Sequence, residues 1–336
     1  MRGSTDTTNI YDIIANLPRQ FTAAFDSVSA KISPDTKKII FCGMGGSALP
    51  ANLLKTYLAN ANLDFNIPIK INRDYSFSED VRTLPATPTC GFFCSYSGNT
   101  EETLAALGDA EMRGLTQIVI LAHGGKLAEI AKEKGYALVQ LPDTNQPRMA
   151  YGFIVGAMLK IFANSGLLNI DFNALNADIQ KLTAENAALE TRAMELAKSV
   201  QNKIPVIYAS NAWKYLAMVW KINFNENAKT PSFWNCFPEL NHNEMVGYTN
   251  PVGAFKVIIL KDGADNERNK KRMDIFNSLL KEKLNCEVID MADGSPFYKM
   301  ISTLSLGLWT SYYLAILNNL DPAPVALVEE FKRLMM

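Results

Sequence analysis

Residues 38–59, KIIFCGMGGSALPANLLKTYLA, run from a short apolar strand through a glycine turn into a helix. Helical patterns at 100–114 and 126–135 separate the short apolar runs that follow, and those runs lie at 67–72, 90–97, 117–123 and 136–142. Strands that alternate with helices predict a parallel sheet covered by helices on both faces.

The second half of the chain repeats this alternation. An amphipathic stretch at 172–202 predicts a connecting helix, after which strands are predicted at 204–210, 255–261 and 286–291 and helices at 212–228 and 266–283. We therefore predict an α/β protein with two tandem subdomains, each a mostly parallel, doubly wound, flavodoxin-like sheet flanked by helices. The predicted divisions are an N-terminal extension 1–20, a first subdomain 21–170, a connecting helix 171–203, a second subdomain 204–320 and a C-terminal helix 321–336.

Composition excludes several classes of protein. The 336 residues include 33 Lys plus Arg and 34 Asp plus Glu, so no overall field attracts nucleic acid or an anionic membrane. The five cysteines are odd in number and widely spread, which favours a reducing compartment, and we expect a cytoplasmic protein. The uncharged run Met300–Leu320 is long enough to cross a bilayer, but its Ser, Thr and Asn residues favour a buried helix, and no membrane partner is expected.

The segment SYSGNTEET, residues 95–103, lies where a predicted strand meets a predicted helix. The first N–H groups of a helix lack intrahelical partners and carry partial positive charge, so an anion is favoured there. Ser95, Ser97 and Thr100 add hydroxyl donors, and Gly98 allows a close backbone approach. The segment is typical of a phosphate cradle, although Thr100 with Glu102 or Thr103 could equally cap the helix.

The turn GMGGSA, residues 43–48, also joins a strand to a helix. Carboxyl ends of parallel strands share one edge of a sheet, so we expect Gly46 and Ser47 to contribute to the same phosphate site. The glycines lack the third member of a dinucleotide fingerprint, and Asp74 is too remote to supply its acidic residue.

Together, SYSGNTEET and GMGGSA resemble the turns of a sugar isomerase (SIS) domain, a family whose Ser- and Thr-rich turns bind the phosphate of phosphosugars. That family also contains regulators that bind sugars without converting them. The choice between an enzyme and a non-catalytic phosphosugar-binding regulator therefore depends on the second half of the chain.

Residues 225–248, NENAKTPSFWNCFPELNHNEMVGY, form the densest polar and aromatic cluster in the sequence. Pro231 and Pro238 prevent the preceding helix from continuing, so we expect an irregular loop between Glu226 and His242. Taken alone, Glu226 could be a satisfied structural carboxylate and His242 a surface or core histidine.

The same segment, with its NEN and FPExNHNE, closely resembles the bifunctional phosphoglucose/phosphomannose isomerase family, and the likeness extends over nearly the whole chain. The resemblance implies that Glu226 moves a proton between C1 and C2, that His242 opens the sugar ring, and that Arg148 of QPRMAYG stabilises developing charge. It implies that Lys332, near the carboxyl terminus, assists ring opening. It also implies a homodimer in which His242 reaches the site of the neighbouring subunit.

The implied reaction interconverts glucose 6-phosphate, and mannose 6-phosphate, with fructose 6-phosphate through a cis-enediol, which places the enzyme in glycolysis and gluconeogenesis. Such chemistry needs a base, a ring-opening group and a cation near the enediolate. We expect either burial or a carboxylate neighbour such as Glu244 to raise the pKa of Glu226. The two histidines, His123 and His242, have no further ligands at metal-binding spacing, so we expect neither a metal nor a cofactor.

Overall fold

The computed structural model describes residues 2–77 and 88–335, which divide into two compact units. The first unit spans 16–180, and the second combines 1–15 with 181–336. The chain order of the elements is α1 (Ile10–Ala15), α2 (Leu17–Ser27), β1 (Lys38–Cys42), α3 (Gly45–Asn60), β2 (Ile69–Asn72), β3 (Thr89–Cys94), α4 (Glu101–Met112), β4 (Gln117–Ala122), α5 (Gly125–Lys134), β5 (Ala137–Gln140), α6 (Tyr151–Asn164), α7 (Phe172–Val200), β6 (Ile204–Ser210), α8 (Lys214–Glu226), β7 (Phe233–Phe237), α9 (Glu244–Gly247), β8 (Phe255–Lys261), α10 (Glu267–Leu284), β9 (Glu287–Asp290), α11 (Pro296–Leu317) and α12 (Ala326–Met335).

The first unit is built on a parallel sheet in the order β2-β1-β3-β4-β5. The chain leaves β1 for β2 on one side and returns to β3 on the other, so β1 and β3 flank a topological switch point. Alternate side chains of β1 enter opposite cores: Ile40 packs with residues of α4 and α5, and Phe41 stacks against Phe92 on the other face. The predicted α/β fold class is confirmed.

The second unit has its own parallel sheet, in the order β7-β6-β8-β9. One face packs against α10, with Tyr208, Phe237 and Phe276 in its core. On α8, Trp220 lies against α11, where its indole N–H donates to the Thr303 carbonyl at 2.9 Å. A Cβ at position 307 would lie 2.3 Å from the Trp220 ring nitrogen, so only glycine fits this close approach.

Residues 1–15, which belong to the stretch 1–20 that the sequence predicts as an N-terminal extension or helix, fold with 181–336 in the second unit. The buried Asp6 carboxylate accepts hydrogen bonds from the N–H groups of Ile10 and Tyr11, each at 2.9 Å, at the start of α1. The Gly3 N–H donates to the Tyr312 hydroxyl at 2.9 Å, and the Tyr11 hydroxyl donates to Glu190 at 3.0 Å. These bonds join the first residues of the chain to α11 and α7.

The edge strand β7 lies inside the region that the sequence predicts as an irregular loop. Its sequence, FWNCF, is short and lies between Pro231 and Pro238. The local sequence therefore does not indicate a strand. Parallel pairing with β6 supplies the missing order, because β6 offers its backbone groups to Phe233–Phe237.

The apolar run predicted as a buried helix corresponds to α11. Among the described residues, α11 alone is long and apolar enough to cross a membrane, with a mean hydropathy of 1.3 over its most apolar window. Since 89% of that window is buried inside the protein, α11 has the character of a core helix.

Candidate active site

The two predicted phosphate turns meet at the carboxyl edge of the first sheet. Ser47 lies in the first turn of α3, and its hydroxyl oxygen accepts a hydrogen bond from the Tyr96 backbone N–H at 3.3 Å. Because β1 and β3 are adjacent and parallel, the turns that follow them are brought together as the sequence predicts.

The turn after β3 gathers its three hydroxyls into one cluster. The Ser95 hydroxyl lies 2.8 Å from that of Thr100 and 3.4 Å from that of Ser97. The Asn99 N–H donates to the Ser97 hydroxyl oxygen at 3.2 Å, so backbone and side-chain donors converge on the turn. This cluster lies immediately before the first residue of α4, Glu101, where the helix dipole favours an anion.

The same contacts bear on the alternative that these residues only cap α4. Thr100 occupies the N-cap position, but its side chain makes no capping hydrogen bond and is directed to Ser95 instead. The buried hydroxyl of Thr103 also has no hydrogen-bond partner among the described residues. The N-terminal N–H groups of α4 are therefore not satisfied by the proposed caps, which favours the anion cradle.

The β3–α4 turn is fastened to the neighbouring β4–α5 turn. Gly98 has φ +70°, and a Cβ there would lie 1.8 Å from the carbonyl oxygen of Gly124. The Asn99 side-chain oxygen accepts from the Lys126 N–H at 3.0 Å, and the Gly98 carbonyl accepts from the Leu127 N–H at 3.0 Å. Sequence analysis missed this contact, although the Gly124-Gly125 pair directly after a predicted strand is a usable signal.

Arg148 lies in a short 3-10 helix, Pro147–Met149, and its residue is 1% exposed. Its guanidinium donates to the Gln146 side-chain oxygen at 3.0 Å. The backbone of Arg148 abuts the first glycine turn, because a Cβ at Gly46 would lie 2.7 Å from the Arg148 nitrogen. The structure thus brings Arg148 beside the turn that carries Ser47.

In the second unit, Glu226 is the last residue of α8 and is half-buried. The asparagines on either side of it anchor the end of the helix. Asn225 accepts from the Ser232 N–H at 2.9 Å, and the buried Asn227 amide donates to the Ser311 hydroxyl at 2.9 Å. The two asparagines of the NEN sequence therefore fix the end of α8, where Glu226 lies, through one hydrogen bond each.

His242 ends the short 3-10 helix Glu239–His242 that follows β7. Its side chain is exposed, whereas Leu240, two residues earlier, is fully buried in the core of the second unit. The imidazole makes no hydrogen bond to any residue within 2–77 or 88–335. The fold of the second unit thus presents His242 outward.

Lys332 lies on α12, a helix with no buried residue. Its ammonium group pairs with Glu329 at 2.9 Å, and the Lys332 side chain is 60% exposed. Several apolar side chains of the same helix are also exposed, namely Leu327, Val328, Phe331, Leu334 and Met335. Within the second unit the contacts of Lys332 are therefore those of a surface ion pair.

His123 lies at the carboxyl end of β4, close to the phosphate turns. Its ring stacks on Tyr96 with 5.2 Å between centroids, and its Nδ1 is 2.9 Å from the Leu141 carbonyl oxygen. The Asn145 N–H and the Tyr96 hydroxyl each donate to Asp143 at 3.0 Å, and together they hold the pKa of that carboxyl below its usual range. In the described part of the chain, no group of three or more His, Cys, Asp and Glu side chains could hold a metal ion.

Comparison with known proteins gives a family match for the second half of the chain and a similar solved structure for nearly all of it. Residues 189–335 match the family described as the bacterial phospho-glucose isomerase C-terminal SIS domain. A hypothetical protein from Thermus thermophilus has a similar solved structure, with a TM-score of 0.78 and 18% identity over 98% of this chain and 90% of that chain. Fold and turns therefore define a SIS-domain protein.

Two curated relatives, both sugar-phosphate enzymes, are similar to this chain over most of its length. A bifunctional phosphoglucose/phosphomannose isomerase from Caldicellulosiruptor bescii is 34% identical over 96% of this chain and 98% of that enzyme. A D-glucosamine-6-phosphate 4-epimerase from Sulfolobus acidocaldarius is 32% identical over 75% of this chain and 79% of that enzyme. This chain belongs to the bifunctional phosphoglucose/phosphomannose isomerase family, as the resemblance of its motifs predicts.

Proposed function

We propose that this protein interconverts glucose 6-phosphate and mannose 6-phosphate with fructose 6-phosphate through a cis-enediol. The observation that carries the proposal is the hydroxyl cluster of Ser95, Ser97 and Thr100 before α4, in a chain 34% identical to an enzyme of that name. The product is used and formed in glycolysis and gluconeogenesis, and we place the enzyme in the cytoplasm.

The substrate phosphate is held by hydrogen bonds rather than by a lysine. Ser95, Ser97 and Thr100 act from the second turn, and Gly46 and Ser47 from the first. Their hydroxyls and the free N–H groups of α4 compensate the dianion, while the bound phosphate fixes the position of C1 and C2.

We further propose a role for each of four side chains in the reaction. His242 opens the pyranose ring, assisted by Lys332, and supplies an open-chain aldose. Glu226 then removes the C2 proton and returns it at C1, while Arg148 stabilises the negative charge of the cis-enediolate. In this proposal the enzyme is a homodimer in which the exposed His242 serves the site of the neighbouring subunit.

The proposed chemistry needs neither metal nor cofactor. Purified protein is assayed on glucose 6-phosphate and mannose 6-phosphate after treatment with a chelator, alongside Glu226→Gln. We expect full activity of the unmodified protein after chelation and a loss of about 10²–10⁴-fold in kcat for the variant. Glu282→Gln is the matched control, since Glu282 is an exposed glutamate of α10.

The assay also separates the proposal from its competitors. Binding of the sugar phosphates without turnover identifies a regulator and leaves Glu226 as a contact residue. Turnover that chelation abolishes overturns the metal-independent mechanism. Because one relative is a D-glucosamine-6-phosphate 4-epimerase, glucosamine 6-phosphate is included, and epimerisation in preference to isomerisation overturns the assigned substrate.

A further inference from the structure

Glu244 lies two residues after His242 and has a half-buried carboxylate that the proposed chemistry does not use. Its Oε1 accepts hydrogen bonds from the hydroxyls of Tyr208 and, at 3.4 Å, Tyr248. Its Oε2 accepts from the Asn235 side-chain amide. Both oxygens are thus engaged by neutral donors, so the carboxylate has a fixed place in the second unit.

The donors of this network come from the sheet itself. Tyr208 on β6 and Asn235 on β7 are register partners in the parallel pair, so their side chains leave the same face of the sheet next to each other. The hydroxyls of Tyr208 and Tyr248 lie 2.6 Å apart. The Tyr208 hydroxyl and the Asn235 amide therefore lie side by side on the sheet, where both donate to the Glu244 carboxylate.

The tyrosine donors keep their protons throughout the neutral range. Burial raises the pKa of Tyr248 to about 12. Burial, followed by the nearby Tyr248 and Glu244, raises the pKa of Tyr208 well above its usual range. The two hydroxyl donors to Glu244 therefore stay protonated over the pH range of an ordinary assay.

His242 lies between two anchors that point inward. Leu240 is fully buried two residues before it, and Glu244 is bound to the sheet two residues after it. The Asn243 amide also donates to Glu239 at 2.7 Å, across the His242 position. These contacts hold the backbone of His242 on both sides while its imidazole projects outward.

We propose that Glu244 is the positioning residue that holds His242 for the ring-opening step. This inference rests on the proposed function of His242. The Glu244 oxygens are engaged by Tyr208, Tyr248 and Asn235, and these contacts fix the position of the carboxylate. Small displacements of a catalytic group reduce its effectiveness, so loss of the anchor is expressed as a slower reaction at the sugar.

Ring opening can be measured apart from isomerisation. When the ring opens, a base removes the O1 proton, the C1–O5 bond breaks with its electron pair passing to O5, and O5 takes up a proton. Reclosure on the other face of the aldehyde gives the second anomer. Exchange between the α and β anomers of glucose 6-phosphate therefore reports on His242 without any proton transfer at C2.

The test measures anomer exchange by magnetisation-transfer NMR in protein that carries Glu226→Gln. We expect Glu244→Gln to slow the exchange at least tenfold and His242→Ala to slow it at least as much, with the double variant no slower than His242→Ala. Binding of an acyclic phosphorylated hydroxamate, a mimic of the enediolate that needs no ring opening, should change less than twofold in Glu244→Gln. Glu282→Gln is the matched control.

Each contrary result has a distinct meaning. Unchanged exchange in Glu244→Gln, or effects of Glu244→Gln and His242→Ala that multiply, overturns the positioning role alone. Equal weakening of exchange and hydroxamate binding also overturns it, because that pattern indicates general damage. Unchanged exchange in His242→Ala overturns the proposed role of His242 and the inference with it. If Glu244→Gln does not fold, Tyr208→Phe replaces it, because this variant removes one hydrogen-bond donor and keeps the Glu244 carboxylate. We expect Tyr208→Phe to slow anomer exchange roughly threefold.

Discussion

The side-chain oxygens of Ser95 and Thr100 lie 2.8 Å apart, across the point where β3 passes into α4. A threonine at an N-cap usually turns its hydroxyl to the helix N–H groups, yet here it turns to the serine. This side chain therefore does not cap the start of α4, and in the proposed function the two hydroxyls share the substrate phosphate.

Removal of these hydroxyls should weaken substrate binding more than it slows chemistry. We expect Ser95→Ala to raise KM for glucose 6-phosphate by about 10–100-fold, because a hydrogen bond to a charged group contributes about 1.5–3 kcal/mol. The effect on kcat should be smaller, since the phosphate is held equally in substrate and transition state. Steady-state kinetics measure both constants, with Thr191→Ala on an exposed face of α7 as the control. A fall in kcat at constant KM contradicts the phosphate assignment.

Gly98→Ala tests the junction of the β3–α4 and β4–α5 turns. The added Cβ would lie 1.8 Å from the Gly124 carbonyl at φ +70°, so one turn must move. Gly114→Ala is matched to it, because Gly114 has φ +76° and open space around the added carbon. We expect left-handed strain to destabilise both variants by roughly 1–2 kcal/mol, and Gly98→Ala alone to raise KM. Thermal unfolding measures the loss of stability and steady-state kinetics measure KM. Equal KM values for the two variants contradict a role of the junction in substrate binding.

Asp265 should make the stability of the second unit depend on pH. Burial, and then the nearby Asp262 charge, raises the pKa of Asp265, whose Oδ1 accepts from the Ser210 hydroxyl at 2.7 Å. The folded state therefore binds this proton more tightly than the unfolded state. As pH rises from about 3.8 through the folded pKa, the free energy of unfolding falls.

Asp265→Asn removes that titration. We expect the variant to gain in stability relative to the unmodified protein as pH rises from 4 toward 7, since the amide keeps no charge in the buried site. Denaturant unfolding at several pH values measures the difference. The exposed Asp290→Asn provides the control. A constant difference between Asp265→Asn and the unmodified protein at all pH values contradicts the assignment.

Lys332 and Arg333 allow a matched comparison on α12. Each forms an exposed pair with a glutamate three residues earlier, at 2.9 and 2.6 Å, so neither substitution should change the unfolding temperature measurably. We expect Lys332→Ala to lower kcat by about 10²-fold through impaired ring opening, and Arg333→Ala to leave it unchanged. Equal kcat values for the two variants show that Lys332 is a surface residue only.

The local parts of the site could be predicted from the sequence. Strand, turn and helix follow one another within residues 38–59, and parallel strands collect their turns at one edge, so Ser47 and the turn that begins at Ser95 were predictable neighbours. The bounds of β6 and β8 agree with the predicted 204–210 and 255–261 because long apolar runs mark buried strands.

The rest depends on pairing between distant segments. The anchor of Glu244 requires the register that sets Tyr208 beside Asn235, and no periodicity in either segment specifies that register. The strand β7 gains its order from β6, since its own sequence lies between prolines. Likewise, the bond between Gly3 and Tyr312 joins residues whose separation in the chain leaves no local signal.

The return of residues 1–15 to the second unit has a consequence for synthesis on the ribosome. The first unit has all of its segments once residue 180 has emerged, and it can fold while translation continues. The opening residues emerge before it but must wait for Tyr312, near the end of the chain, before they find their partners. The half of the protein that is translated last therefore completes its fold with the residues that are translated first.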